Sequence, residues 1–524
     1  MRRVTAVLIL AVLLFFPCLT KVESQELISD QPAPPDQPAP PEEPGQPEEP
    51  GQPEEPAKQK YVMRCVKSYG TFSIPALPGN NAMSSWKDKE GYLYVALRSA
   101  ESKSDEGVTY KDGGIAIVSP DGKVCTLDGK SRPFYPGATI LHAWGDDEGK
   151  IYISTKDKGL AIIDTKKTPM DPSDDTARRY SLYGVFDTTK GGEEKLVSRS
   201  PCLGCDLVTY SWMEPETKDL YICAGSYDTY EGGLIVLQWD KEKKDYTKSY
   251  TYRAFNWLLT WSKERIYQHA LFETTNAFRE DLNEPRGGKF IKRFKMFGHN
   301  HNCRRVWKDV KSGLVYVCCE DTVEADLKAL PGHNRDGGLT IIDTKKTRDP
   351  KDDTVTAVNP WTRPRICGTH VMHFMLDETT GRKFVSMMDL NPAFEEDMSG
   401  VTVLTGDKKS ITFRRFGLFD TTLDRSGELK DAKANLASAQ VYMTLRDPKS
   451  GEIMVFHTKG MDVISKDLKE VWKVNLDKFL DLPRKLSDVF MVSDGWIDEK
   501  GLIYLSLGEF GNGLLVFRRE PVAP

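Results

Sequence analysis

The chain has 524 residues, a formal net charge of −5, 39% hydrophobic and 10% aromatic residues. Nine acids and no Lys or Arg lie between residues 26 and 57, and the leader before them carries about +2, so residues 58–524 are left near +2. A body this close to neutral excludes the basic footprint of a nucleic-acid or anionic-membrane binder.

Residues 1–24 read as a secretory signal peptide. Arg2 and Arg3 precede an apolar run from Val4 to Phe16, and Val22 and Ser24 stand at the −3 and −1 positions of a cleavage site. The run is too short to cross a bilayer, which takes about 20 residues, and no later segment is longer, so a soluble, exported protein without a transmembrane segment is expected. Residues 25–60 form a Pro-rich acidic spacer, with Gln31-Pro-Ala-Pro-Pro echoed at Gln37. It holds too little apolar surface to offset the entropy of ordering and is expected to be disordered and extended.

From residue 61 to 524 a pattern recurs. An apolar stretch ends in Trp, a charged turn follows, and the chain re-emerges as an aliphatic residue and Tyr: Trp86 to Tyr94, Trp144 to Tyr152, Trp212 to Tyr221, Trp261 to Tyr267, Trp307 to Tyr316 and Trp496 to Tyr504. Degenerate copies run from Phe374 to Val385 and from Leu445 to Met454. Each copy is followed by a glycine-led apolar run, at Gly114, Gly159, Gly233, Gly288, Gly338, Gly400, Gly460 and Gly513. Short runs rich in Ile, Val, Leu and Tyr between Gly, Asp, Lys and Pro signal antiparallel strands joined by turns. A four-stranded unit cannot bury both faces alone, so such units stack radially. The two interleaved signals predict an all-β chain forming a single β-propeller of eight four-stranded blades, with seven as the alternative. The strand-like Val62–Val66 and Thr71–Ile74 are expected to close the last blade, which ends short of an outer strand.

Ile162-Ile-Asp-Thr-Lys-Lys-Thr168 and Ile341-Ile-Asp-Thr-Lys-Lys-Thr347 are identical at an offset of 179 residues, read as about three blades. The pattern resembles the broad superfamily of extracellular β-propeller repeat proteins, of the kind with Gly-Leu-x-Ile-Ile-Asp strands. The resemblance implies the architecture and no particular activity.

Export leaves nine cysteines after Cys18 and predicts disulfides among Cys202, Cys205, Cys223, Cys303, Cys318, Cys319 and Cys367, with at least one thiol left over. Cys223 and Cys318 share one repeat position. The histidines cluster in Phe297-Gly-His-Asn-His-Asn-Cys303 and His370-Val-Met-His373, with His142 at a corresponding place. Inner strands line a propeller's channel, so His142, His299, His301, His370 and His373 are candidate ligands for a transition metal such as Zn, Cu or Fe; polar channel residues bonded to backbone or water are the competing reading. No Gly-x-Ser-x-Gly elbow, phosphate loop or dinucleotide fingerprint occurs. The leading expectation is a secreted, non-catalytic binding or scaffold protein that recognises a protein or glycan partner through one propeller face. The alternative is a metal-dependent hydrolase or oxidoreductase with a His-lined site at the channel mouth.

Overall fold

A computed structural model describes residues 61–521 except 71–72, 80, 104–108, 128–138, 191–193, 226–232, 259–264, 275–288, 295–301, 321–337, 361, 369, 389–398, 407, 475–490 and 509–512. The expected leader and spacer lie outside the described residues. So do His299, His301, Trp261 and Gly288.

The described residues form seven antiparallel sheets, each beginning with a short strand that faces the axis. These inner strands are Ala82–Lys87, Ile140–Gly145, Val208–Met213, Asn302–Asp309, Val371–Asp377, Val441–Arg446 and Val492–Ile497, and they define blades I to VII in chain order. Each packs against the next, and Val492–Ile497 packs against Ala82–Lys87, so the ring is closed. Seven buried apolar clusters are found among the described residues, one at each blade interface. The chain is a seven-bladed β-propeller.

Closure uses the N-terminal segment, as the short last unit requires. Tyr61–Tyr69 pairs antiparallel with Gly513–Pro521, from Tyr61 opposite Pro521 to Tyr69 opposite Leu514, and supplies the outer strand of blade VII. Met63 and Tyr69 are buried by this pairing. An otherwise open sheet edge is thereby covered.

The expected eighth blade does not exist. Arg265–Glu273 pairs with Asp245–Leu258, and Lys289–Phe294 pairs with Arg265–Glu273, making the fifth and sixth strands of blade III. An outer hairpin with aromatic residues resembles an inner one locally, because both are strand, turn, strand. Two details separate them. In the seven inner hairpins an acid stands two residues after the Trp position, at Asp88, Asp146, Glu214, Asp309, Asp377, Asp447 and Asp498, whereas Trp261 has Lys263 there. The true Trp–Tyr pairs also span 86 to 94 or 212 to 221, against the shorter 261 to 267.

Blades II and V have six strands as well, contrary to the uniform four expected. Blade III lengthens the chain between the two identical Ile-Ile-Asp-Thr-Lys-Lys-Thr segments, which therefore lie two blades apart, in II and IV, and not three. The degenerate copy in blade V is centred one residue later than expected, since Met375 pairs with Phe384 where Trp86 pairs with Tyr94.

The recurrent glycines stand at the start of the third strands, except Gly114 within Thr109–Val118, and all seven described ones have positive φ, from +70° at Gly513 to +151° at Gly233. A Cβ at Gly400 would sit 2.0 Å from the Phe413 carbonyl oxygen of the neighbouring strand. Only a residue without a side chain admits that approach.

The turn acids act locally. Asp146 Oδ1 accepts the Glu148 and Lys150 amides at 2.9 Å, and Asp498 Oδ1 accepts the Lys500 and Leu502 amides. Their second oxygens accept the hydroxyl of the Tyr that closes the hairpin, Tyr152 at 3.1 Å and Tyr504 at 3.4 Å. The Trp stacks on that same Tyr, with ring centroids 4.1 Å apart for Trp144–Tyr152 and 4.0 Å for Trp496–Tyr504.

Candidate functional site at the channel

Every inner strand carries a bulge at one place. Its register with the second strand skips one residue, at Met83, Leu141, Thr209, Arg304, Met372, Tyr442 and Ser493. A bulge bends the strand and re-aims the next side chain. The next residues are Ser84, His142, Tyr210, Arg305, His373, Met443 and Asp494, one per blade and each two positions before the Trp or its equivalent. They form a ring near the start of the inner strands.

Two of the predicted histidines belong to this ring. His142 and His373 occupy equivalent positions on blades II and V and are both buried. His370 lies three residues earlier, is buried, and its carbonyl accepts the Met388 amide at 3.0 Å. Among the described residues no group of three His, Cys, Asp or Glu is placed to hold a metal ion.

The ring holds groups that the histidine pattern missed. Arg305 Nη2 donates to Asp494 Oδ1 at 2.8 Å and to the Ser493 carbonyl at 2.9 Å, crossing from blade IV to blade VII. The guanidinium lies 5.3 Å from the centre of the Tyr210 ring, and the His142 ring packs on the same Tyr210 with centroids 4.1 Å apart and the planes tilted by 34°. His142 Nε2 is 3.9 Å from Asp494 Oδ2. Counting two residues back from each Trp would have found Tyr210, Arg305 and Asp494.

Burial and the Arg305 charge set the protonation of the ring. Both hold His142 and His373 well below the usual histidine range, burial being the larger cause, so each imidazole is neutral near pH 7. Burial pushes the Tyr210 phenol up to about 12. It also raises the Asp494 carboxyl, against the opposing pull of Arg305. Neutral imidazoles beside a fixed guanidinium are hydrogen-bonding groups in a field that repels cations.

Arg305, His373 and Tyr210 line a cavity of about 110 Å³ together with Val306, Trp307, Tyr316, Cys318 and Phe374. Its lining combines polar side chains with aromatic and aliphatic ones.

The cysteines lie close to this region. Cys223 pairs with Tyr210 and Cys318 with Arg305, one repeat position in two blades. Cys303 and Cys319 face each other across blade IV with sulfurs 4.0 Å apart. Cys367 Sγ is 3.0 Å from Arg414 Nη2, and Cys205 Sγ donates to the Leu207 carbonyl at 3.3 Å. Burial pushes the Cys202 thiol up to about 11. Cys202, Cys223, Cys303, Cys318, Cys319 and Cys367 stand as thiols.

Neighbouring blades are joined just outside the ring. Trp144 Nε1 donates to Ser211 Oγ at 3.0 Å, and Trp496 Nε1 to Ser85 Oγ at 3.1 Å. Ser84 Oγ donates to the Ala143 carbonyl at 2.7 Å and accepts its amide at 2.8 Å.

No protein-family model matches the chain, and no curated protein matches it. Among solved structures, hydrazine synthase of Kuenenia stuttgartiensis is 11% identical over 84% of this chain and 96% of its own, with a TM-score of 0.40. The Dos1 propeller is 9% identical over 88% of this chain and 94% of its own, TM-score 0.41. The extracellular domain of a hybrid two-component system from B. thetaiotaomicron is 14% identical over 86% of this chain and 63% of its own, TM-score 0.24. Likeness at such identities says nothing of activity. Among the described residues no helix is long and apolar enough to cross a membrane.

Proposed function

We propose that this is an exported binding or scaffold protein that recognises a protein or glycan partner through one propeller face, with residues 25–60 as an acidic tether. The observation that carries this reading is that most of the longest connections fall on one face. In a four-stranded antiparallel blade, the turns after the first and third strands lie on one face. The connections after the second and fourth strands lie on the other. On the first face the turns after the inner strands are tight, as between Gly145 and Lys150 or Asp309 and Leu314, and its longer connections are Asp164 to Thr176, Asp343 to Thr354 and Glu273 to Lys289. The second face is where the strands flanking residues 321–337, 389–398 and 475–490 end and begin, three of the four longest breaks between strands. Loops of variable length held on a rigid frame are where binding surfaces are built.

The channel ring lies toward this second face, at the beginning of each inner strand, and the Arg305–Asp494 pair spans it. The test is binding of the full chain to a glycan array and to a panel of extracellular proteins, followed by variants. Replacing residues 389–398 or 321–337 with a short Gly-Asn turn is expected to weaken binding at least tenfold at unchanged melting temperature. Replacing the tight turn at residues 121–122 should change nothing. Binding that ignores the long connections, or that is lost from the tight-turn face, overturns the reading.

A further inference from the structure

The cavity on the channel ring has unmet hydrogen-bonding capacity. Arg305 donates through Nη2 to Asp494 Oδ1 and the Ser493 carbonyl, and its side chain is 18% exposed. His373 is 8% exposed and its Nδ1 is buried with no hydrogen-bond partner. Both side chains line the cavity, and so does Tyr210. Native proteins rarely leave a buried nitrogen such as His373 Nδ1 unpaired, because it costs about 1–3 kcal/mol.

We propose that this cavity binds a small free monocarboxylate, its oxygens held by Arg305, Tyr210 and His373 and its short alkyl end packed against Val306, Trp307, Tyr316 and Phe374.

The reasons are chemical. The guanidinium is a planar donor that suits a planar carboxylate. The Arg305–Asp494 pair is neutral as a whole, so a monoanion brings one charge to be compensated and a phosphate dianion brings two. A halide would satisfy the polar side chains and leave the aromatic and aliphatic ones without a partner. The volume corresponds to about four waters, a molecule of roughly four to six heavy atoms. A ligand that small is limited to Kd values between about micromolar and millimolar. The site lies in the channel ring, toward the long-connection face, but takes a small anion inside the channel, so the proposal stands whether or not that face binds a macromolecule.

The experiment is titration of the full chain at constant ionic strength with acetate, propionate, butyrate, chloride and butylammonium, read by calorimetry and by the fluorescence of Trp307, with a Trp307→Phe control. Saturable binding of the carboxylates is expected, tightening about three- to fourfold per added methylene until the cavity is full, with no binding of chloride or butylammonium. Tyr210→Phe should weaken propionate about tenfold at an unchanged melting temperature, and Arg305→Lys should weaken it further. Tyr210→Phe keeps the ring packing, so the test does not depend on the Arg305 variant folding. Equal affinity in Tyr210→Phe and the parent, binding of chloride as tight as propionate, binding of butylammonium, or no saturation by any carboxylate would each overturn the proposal.

Discussion

Arg305 on blade IV donates to Asp494 on blade VII, three blades away around the ring, at 2.8 Å. No neighbouring pair of blades could make this contact. It ties opposite sides of the closed ring together through the channel, with side chains only 18% and 14% exposed.

Removing one partner should therefore cost far more than removing both. Asp494→Asn or Arg305→Met alone is expected to destabilise by about 3–5 kcal/mol, because an uncompensated charge is left buried. The double variant Arg305→Met/Asp494→Leu should recover most of that loss. Urea unfolding of the four proteins checks it, and additive single losses would show that the pair is uncoupled.

Deleting residues 58–69 should open the ring. Blade VII would lose its outer strand and the burial of Met63 and Tyr69. Loss of a cooperative melt, or a fall in Tm of several degrees, with each degree worth on the order of 1 kcal/mol for a body this large, is expected by calorimetry. A truncated protein that melts near the parent temperature would count against closure by this strand.

Gly400 and Gly122 make a matched pair of glycine tests. Gly400→Ala brings a Cβ to 2.0 Å from the Phe413 oxygen at φ +147°, whereas Gly122, at φ +85°, has open space around it. Gly122→Ala should cost about 1–2 kcal/mol, the left-handed backbone term alone. Gly400→Ala should cost at least about 3 kcal/mol, since backbone must move in addition. Thermal melting of both variants distinguishes strain from steric exclusion.

The buried imidazoles predict acid sensitivity. His142 and His373 have folded-state pKa values below the ordinary 6.5, so the unfolded chain takes up protons first as pH falls. Their stabilisation is complete above pH 6.5 and is lost as pH falls below it, by up to about 1.4 kcal/mol per pH unit for each histidine. Asp494 and Asp353, both raised by burial, Asp353 to about 6, act in the opposite sense: the folded state holds their protons more tightly, and lowering pH relieves their burial cost. His142→Gln/His373→Gln retains both acids, so the difference from the parent isolates the histidines. Between pH 7 and 5.5 the parent should lose stability relative to the variant; parallel curves would refute the assignment.

The blade-to-blade bond from Trp144 to Ser211 gives a smaller effect. Ser211→Ala is expected to cost about 1 kcal/mol, the usual net worth of a hydrogen bond, and somewhat more if the indole N–H stays buried unpaired. Thermal unfolding measures it, and a stabilised variant would contradict the role.

The repeat of Trp, acid, Tyr and Gly determined by itself that the chain forms short hairpins with glycine-led third strands, because each of those residues meets a local demand. The acid caps the turn amides, the Tyr bonds the acid and stacks the Trp, and the Gly admits a carbonyl of the next strand. The short final unit with a strand-like segment at Tyr61 likewise determined how the ring closes. Blade number was decided only in three dimensions. The outer hairpin of Asp245–Leu258 with Arg265–Glu273 repeats the aromatic residue, turn and Tyr of an inner one without its turn acid, and its place is fixed by the strands it pairs with. The site divides in the same way. His142 and His373 were visible as residue types, but their surroundings depend on Arg305 and Asp494, 189 positions apart in the chain. A ring closed by packing brings such residues together, and no local pattern carries that distance.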